Sequence, residues 1–315
     1  MEKQINKTLV ENTLTDILNN IFENAKVPMG KAILSKTQNS AIRHKHKNYD
    51  VIINVSPLFE NNKTNTISEQ DFVDMIWSCF HEEEHLYQNY IFQQPTCTDE
   101  IRHMAHTELL HISIPETYQS NDNSGLAGYW HNINEIDAET YGLQKTRIFF
   151  QQNFPEIDID THLIQLIKNK TVWYAVNRNI KTIDDAFHNL NIAKQESYHK
   201  PILLPIRYIQ NKYSPCLRKF IANDIRRQNY IQAYDNQDGQ TCTQLLLNFI
   251  KENQPWRYKE FPCLQNEWTY KIRNAEPPTF AKLRKLNRIT QLEELYGHLL
   301  DQQNMDTNDT PNYEP

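Results

Sequence analysis

The sequence predicts an α+β fold, with a small β-sheet in the first half and a mainly α-helical C-terminal region. Three observations lead there. Residues 31–57 combine a short apolar run with loose apolar/polar alternation, the pattern of half-buried strands. Most of the remaining chain repeats apolar residues at three- and four-residue spacing, as amphipathic helices do. Glycine is scarce, six in 315 residues, and neither G-x-x-x-x-G-K-[ST] nor G-x-G-x-x-G occurs, so phosphate-cradling loops are not expected. Hydrophobic residues make up 39% of the chain, enough for a sizeable core. No run reaches the ~18 apolar residues that would suggest a membrane span.

Residues 5–26 carry Leu9, Leu14, Ile17, Leu18, Ile21 and Phe22 at helical spacing. Ala32-Ile33-Leu34 then opens a sheet of two or three strands. Ala41 to His46 and Tyr49 to Val55 flank a turn at Lys47-Asn48. His44 and His46 alternate along one strand and read as exposed polar positions. A long helix follows from Ser68 to Gln94. Ser68 and Asp71 form a capping-box variant, Ile67 and Phe72 a hydrophobic staple, and Phe72, Val73, Ile76, Trp77 and Phe80 the apolar stripe; Pro95 ends it. A second helix starts after the cap Asn132 and runs to about Asn153, before Pro155. Further helices are expected over 160–170, 182–195, 203–212, 216–234, 241–253 and 279–300, punctuated by prolines. These elements suggest three parts: residues 1–155, a helical region 156–301 without a recognisable motif, and a polar, disordered tail 302–315.

The first long helix contains His81-Glu82-Glu83-Glu84-His85, an H-E-x-x-H pattern. Residues four apart share a helix face, so His81 and His85 can grip one metal ion from one side. Glu82, one residue round, is placed to take a proton from a water at that ion. A catalytic zinc site needs a third protein ligand. Glu135, in the first turn of the second helix, is the candidate, and Glu139, one turn on, suits a partner for a ligating imidazole. Ala138 and Gly142 on that helix would allow close packing on the first. Cys79 faces away from His81 and is not counted as a ligand. Glu83 and Glu84 extend the acidic run, and three consecutive carboxylates are expected to raise the negative charge beside a metal and to repel acidic substrates.

Phe80-His81-Glu82-Glu83-Glu84-His85-Leu86-Tyr87-Gln88, followed by Tyr129-Trp130-His131-Asn132-Ile133-Asn134-Glu135-Ile136-Asp137-Ala138-Glu139-Thr140-Tyr141, resembles the gluzincin metallopeptidases. It is most similar to small gluzincin domains of bacteria and phages, which carry H-E-x-x-H-x-x-Q and Y-x-x-N-x-x-E-I-D-A segments. The resemblance covers about residues 30 to 150. It implies a minimal zincin-like domain, one zinc ion held by His81, His85 and Glu135, and Glu82 as general base in peptide-bond hydrolysis. It also implies a sheet beside the first metal helix whose edge strand pairs with extended substrate. Gln88 and Asn132 match the pattern and are assigned structural roles. The residues usual between the two histidines are apolar, small or basic, where this chain has Glu83 and Glu84; Ile133 stands where proline is common. Tyr129, His131 and Tyr141, close in sequence to Glu135, are candidate donors to a developing oxyanion.

The rest of the sequence limits the alternatives. Five cysteines form no C-x-x-C pair, and the N-terminal residues lack the apolar stretch of a signal peptide, so a cytoplasmic protein with reduced thiols is expected. The net charge is −6, yet residues 201–300 hold 15 Lys and Arg against 9 Asp and Glu. No nucleic-acid motif accompanies that basic excess, which reads as ordinary solvated helical faces; a protein or peptide substrate is the partner the gluzincin resemblance implies. A metal-stabilised, non-catalytic binding or regulatory protein that uses the basic region is the alternative. A di-iron carboxylate bundle is a weaker one, motivated by the Glu-x-x-His spacing repeated at Glu100/His103 and Glu108/His111. The turn Asn121-Asp122-Asn123-Ser124-Gly125 is a candidate lid over a cleft.

Overall fold

The computed structural model describes residues 4–27, 30–45, 48–60, 64–95, 97–117, 132–169, 180–199, 204, 206–211 and 214–264. It is mostly helical with a small sheet, an α+β arrangement. Strand β1 (Gln4–Asn6) leads into α1 (Lys7–Asn24). Strands β2 (Lys31–Ser35), β3 (Ala41–Lys45) and β4 (Asn48–Asn54) follow, then a single turn α2 (Pro57–Glu60) and β5 (Thr66–Ser68). The two long helices are α3 (Glu69–Phe92) and α5 (Ile133–Asn153), with α4 (Asp99–Ser113) between them. The remaining helices are α6 (Ile159–Asn169), α7 (Ile183–His199), α8 (Ile206–Asn211), α9 (Pro215–Ala222), α10 (Asp224–Asp235) and α11 (Gly239–Asn253).

Local chemistry sets these boundaries. Ser68 caps α3 by accepting from the Asp71 backbone N–H, and its hydroxyl donates to the Asp71 carboxylate at 2.7 Å. Ile67 and Phe72 are both buried, as a staple requires. Asn132 caps α5 through the Asn134 N–H at 3.0 Å. The expected helix over 216–234 is two helices, because Asn223 takes an extended conformation and caps α10 through the Arg226 N–H. Two features went unpredicted: the ribbon of β1 with β5, and α4 in a stretch without clear periodicity.

The sheet has the order β2-β4-β3, with β4 central, parallel to β2 and antiparallel to β3. The register pairs Lys45 with Asn48, so Asn48, expected in the turn, is the first residue of β4. Val51, Ile52 and Ile53 of β4 are all buried. The inward side of the sheet lies on α3, and α3 also packs along α5. Phe72 on α3 meets Phe150 and Phe154 edge-on, at centroid distances of 5.1 and 5.2 Å, which pins the two long helices together.

The packing does not part at residue 155. Ile157, Leu163, Leu166 and Ile167 from α6 and its approach, and Ile183, Ala186 and Leu190 of α7, join the core of α1, the sheet, α3 and α5. A second core draws Phe92, α4 and Ile133 together with residues 204–264. Arg147 on α5 forks onto Asp160 of α6 at 2.8 and 2.6 Å and reaches Asp184 of α7 at 3.1 Å. Helices α6 and α7 therefore buttress the α3–α5 pair. The helix expected over 279–300, the tail 302–315, the lid candidate at 121–125, His46 and the His44 side chain lie outside the described residues. None of the described helices is long and apolar enough to cross a membrane.

Candidate metal centre and cleft

Helix α3 presents His81 and His85 on one face, and the first turn of α5 brings Glu135 to meet them. The His81 and His85 Nε2 atoms lie 3.1 Å apart, and each is 3.6 Å from the same Glu135 oxygen, Oε2. Donors set around one ion at ~2.0–2.2 Å in a tetrahedron are separated by roughly 3.3–3.6 Å. Two imidazoles and a carboxylate at these spacings fit a divalent ion such as zinc. They are the one group of three or more His, Cys, Asp or Glu side chains among the described residues that converges in this way.

The close approach of the helices depends on Gly142. A Cβ there would lie 3.1 Å from Trp77 Nε1 and 3.3 Å from the His81 backbone. Ala138 is fully buried one turn earlier. The expectation that small residues seat α5 on α3 matches this contact.

Electrostatics hold the triad together. Burial alone would raise the Glu135 carboxyl; the His85 and His81 rings outweigh it and hold the group well below the usual carboxylate range. Burial alone would lower His85, and the Glu135 charge and hydrogen bond, with Glu82 adding, reverse that and raise it. A dication would meet the same attraction to Glu135 and would take the place of the proton that these contacts favour on His85.

The surrounding side chains orient the donors. His85 Nδ1 and Gln88 Oε1 are 2.9 Å apart, and the Gln88 amide donates to the Asn134 carbonyl at 2.9 Å and reaches Asp137 at 3.4 Å. Lys194 of α7 ties Asp137 to Glu100 of α4. Glu139 comes within 3.9 Å of His81 Nδ1, the ring nitrogen facing away from the centre. His111, pushed down to about 4 mainly by burial, stays neutral and accepts from the Asn132 amide at 3.3 Å, steadying the cap of the Glu135 helix. Gln88 thus does more than the structural role assigned from sequence. Its signal was the spacing, since three residues beyond His85 a side chain returns to the same helix face.

Glu83 and Glu84 do not crowd the centre. Successive helical residues are turned about 100° apart, which sends them to other neighbours. Glu83 accepts from the Tyr141 hydroxyl and, at 3.4 Å, from Asn24; burial raises its carboxyl, and these contacts oppose the rise. Burial, then the Asp137 charge and a hydrogen bond shared with it, raise Glu84. The expected build-up of charge beside the metal site is therefore corrected: both groups face away, into protein. Tyr141, with its hydroxyl on Glu83, is not among the residues lining the cleft, and Tyr129 and His131 lie outside the described residues. Cys79 is fully buried, and burial, with Glu82 and Glu83 adding, raises its thiol, which suits an inert core residue.

A cleft of about 370 Å³ opens over the triad. His81, Glu82, His85, Gln88, Glu108 and Glu135 line it on the helical side, and Ser40, Ala41 and Ile42 on the side of edge strand β3. The two Glu-x-x-His pairs of the bundle alternative part company: Glu100 pairs with Lys194 at 3.0 Å, His103 meets the Ser197 carbonyl at 3.1 Å, and only Glu108 reaches the cleft. No protein-family model, no curated protein and no solved structure matches this chain.

Proposed function

We propose that the protein is a zinc-dependent metallopeptidase with a zincin-like centre, acting on a protein or peptide. One observation carries the reading: His81, His85 and Glu135 converge to metal-ligand spacing at the floor of an open cleft that Glu82 also lines. His81, His85 and Glu135 would hold the ion. When bound, it supplies Lewis acidity, making water acidic enough to lose a proton near neutral pH and polarising a carbonyl. Glu82 takes the proton of the attacking water and returns it to the leaving amine. Gln88 and Glu139 keep the two rings turned so that their Nε2 atoms face the carboxylate. Edge strand β3 offers backbone groups along the cleft, to which an extended peptide can add as a further strand.

The open cleft favours hydrolysis over a purely metal-stabilised binding role, since substrate needs access to the donors. Five unpaired cysteines, four of them buried, support a reducing, cytoplasmic setting. The test is chelator-sensitive cleavage of casein or of the protein itself, together with Glu82→Gln. That variant should keep its zinc and lose hydrolysis; turnover retained in it would refute the base assignment.

A further inference from the structure

Among the described residues, three carboxyl side chains line the cleft: Glu82, Glu108 and Glu135. The proposed reaction uses Glu135 as a ligand and Glu82 as the base, leaving Glu108 unassigned. Helix α4 carries it in beside the start of α5. Asn134 Nδ2 donates to Glu108 Oε2 at 3.3 Å, while Oε1 has no hydrogen-bond partner among the described residues. The residue is open only in part, and its carboxyl end is enclosed by protein atoms. No lysine or arginine is among the described lining residues, so apart from the histidines and the ion they would hold, no side chain there carries a positive charge. Phe92, Ile42 and Tyr49 add apolar walls, against which the methylene stem of a long cationic side chain can pack. Burial raises the Glu108 carboxyl, and an arriving cation would favour its charged form, because a charge-assisted hydrogen bond to the uncommitted oxygen offsets the desolvation.

We propose that Glu108 selects the substrate by receiving a cationic group of a peptide, an α-ammonium or a lysine or arginine side chain, bound in the cleft beside the metal centre. The proposal rests on the metallopeptidase reading and names the substrate class of that site.

Peptide binding to the zinc-loaded, full-length Glu82→Gln protein tests it without turnover. The probes are fluorescent peptides identical save for one Lys, Gln or Glu, each with a free or an acetylated N-terminus. The lysine series should bind at least about tenfold tighter than the glutamine series if a side chain is received, and the free N-terminus tighter than the acetylated one if an α-ammonium is received. Adding Glu108→Gln, which can still accept from Asn134, should abolish that preference; Glu108→Lys should turn it toward the glutamate peptide. Zinc content, measured on each variant, separates lost recognition from a lost site, and Glu108→Gln decides the matter if Glu108→Lys does not fold. Binding indifferent to charge, a preference that survives Glu108→Gln, or no binding of any peptide overturns the proposal. Cleavage by the unmodified protein is scored separately. Charge-selective binding without chelator-sensitive cleavage would sink the hydrolase reading alone; cleavage indifferent to Glu108 would sink this proposal alone.

Discussion

Gln88 fixes which nitrogen of His85 faces His81 and Glu135. Its amide donates to the Asn134 carbonyl, so its oxygen must face His85, and the Nδ1 atom 2.9 Å away carries the hydrogen. Nε2 is then the nitrogen turned to His81 and Glu135. Gln88→Leu removes this constraint, and zinc affinity should fall about 10- to 100-fold. Competition with a chromophoric chelator measures it; an unchanged dissociation constant would remove Gln88 from the site.

Glu135 supplies the only anionic donor of the triad. Glu135→Ala leaves two imidazoles, and zinc content after dialysis should drop sharply. Elemental analysis reads the stoichiometry, and one zinc per chain in the variant would count against Glu135 as a ligand.

Chelation should also lower stability. A ligand that binds only the folded chain adds RT ln(1 + [L]/Kd), about 2.7 kcal/mol at a hundredfold excess over Kd. Calorimetry before and after treatment with a chelator should therefore show a lower Tm, restored by adding back zinc. Identical Tm values would mean that the triad holds no ion under those conditions.

Gly142→Ala should push α5 off α3. The added methyl meets the His81 backbone and the Trp77 ring, the first of which cannot swing aside. Overpacking of this kind costs about 1–3 kcal/mol. Denaturant unfolding reports the loss, and zinc retention should weaken with it, because the same contact sets the spacing between His81 and Glu135. A neutral substitution would show that the helices have slack at this point.

Tyr141→Phe separates packing from chemistry. The hydroxyl is bonded to Glu83, so its removal leaves a buried carboxyl short of a donor and should cost about 1–3 kcal/mol. Zinc stoichiometry should stay at the unmodified value. A chain that loses zinc without losing stability would return Tyr141 to the centre.

Helices α3 and α5 were legible because their signals are local. Ser68 with Asp71, Asn132, and the prolines at 95 and 155 mark helix ends within a few residues. The central sheet was legible for the same reason, its turn and alternation lying within 25 residues. Helix α4 was obscured because it packs against both α5 and α11, which blurs the apolar stripe. The β1–β5 ribbon escaped because three-residue strands 60 positions apart leave no periodicity to read.

By itself the sequence determined that His81 and His85 share a helix face, since 3.6 residues per turn fixes that spacing whatever the surroundings. It also determined where the helix bearing Glu135 begins, through a cap written in adjacent residues. Tertiary structure alone decided the rest. Packing of α5 on α3 placed the Glu135 oxygen 3.6 Å from both rings, turned Glu83 and Glu84 into protein, made Gln88 a bridge between helices, and brought Glu108 to the cleft from a helix of no evident pattern. Short-range rules give the direction of a side chain about its own helix, whereas the distance between helices depends on the volumes and close approaches of residues far apart in the chain.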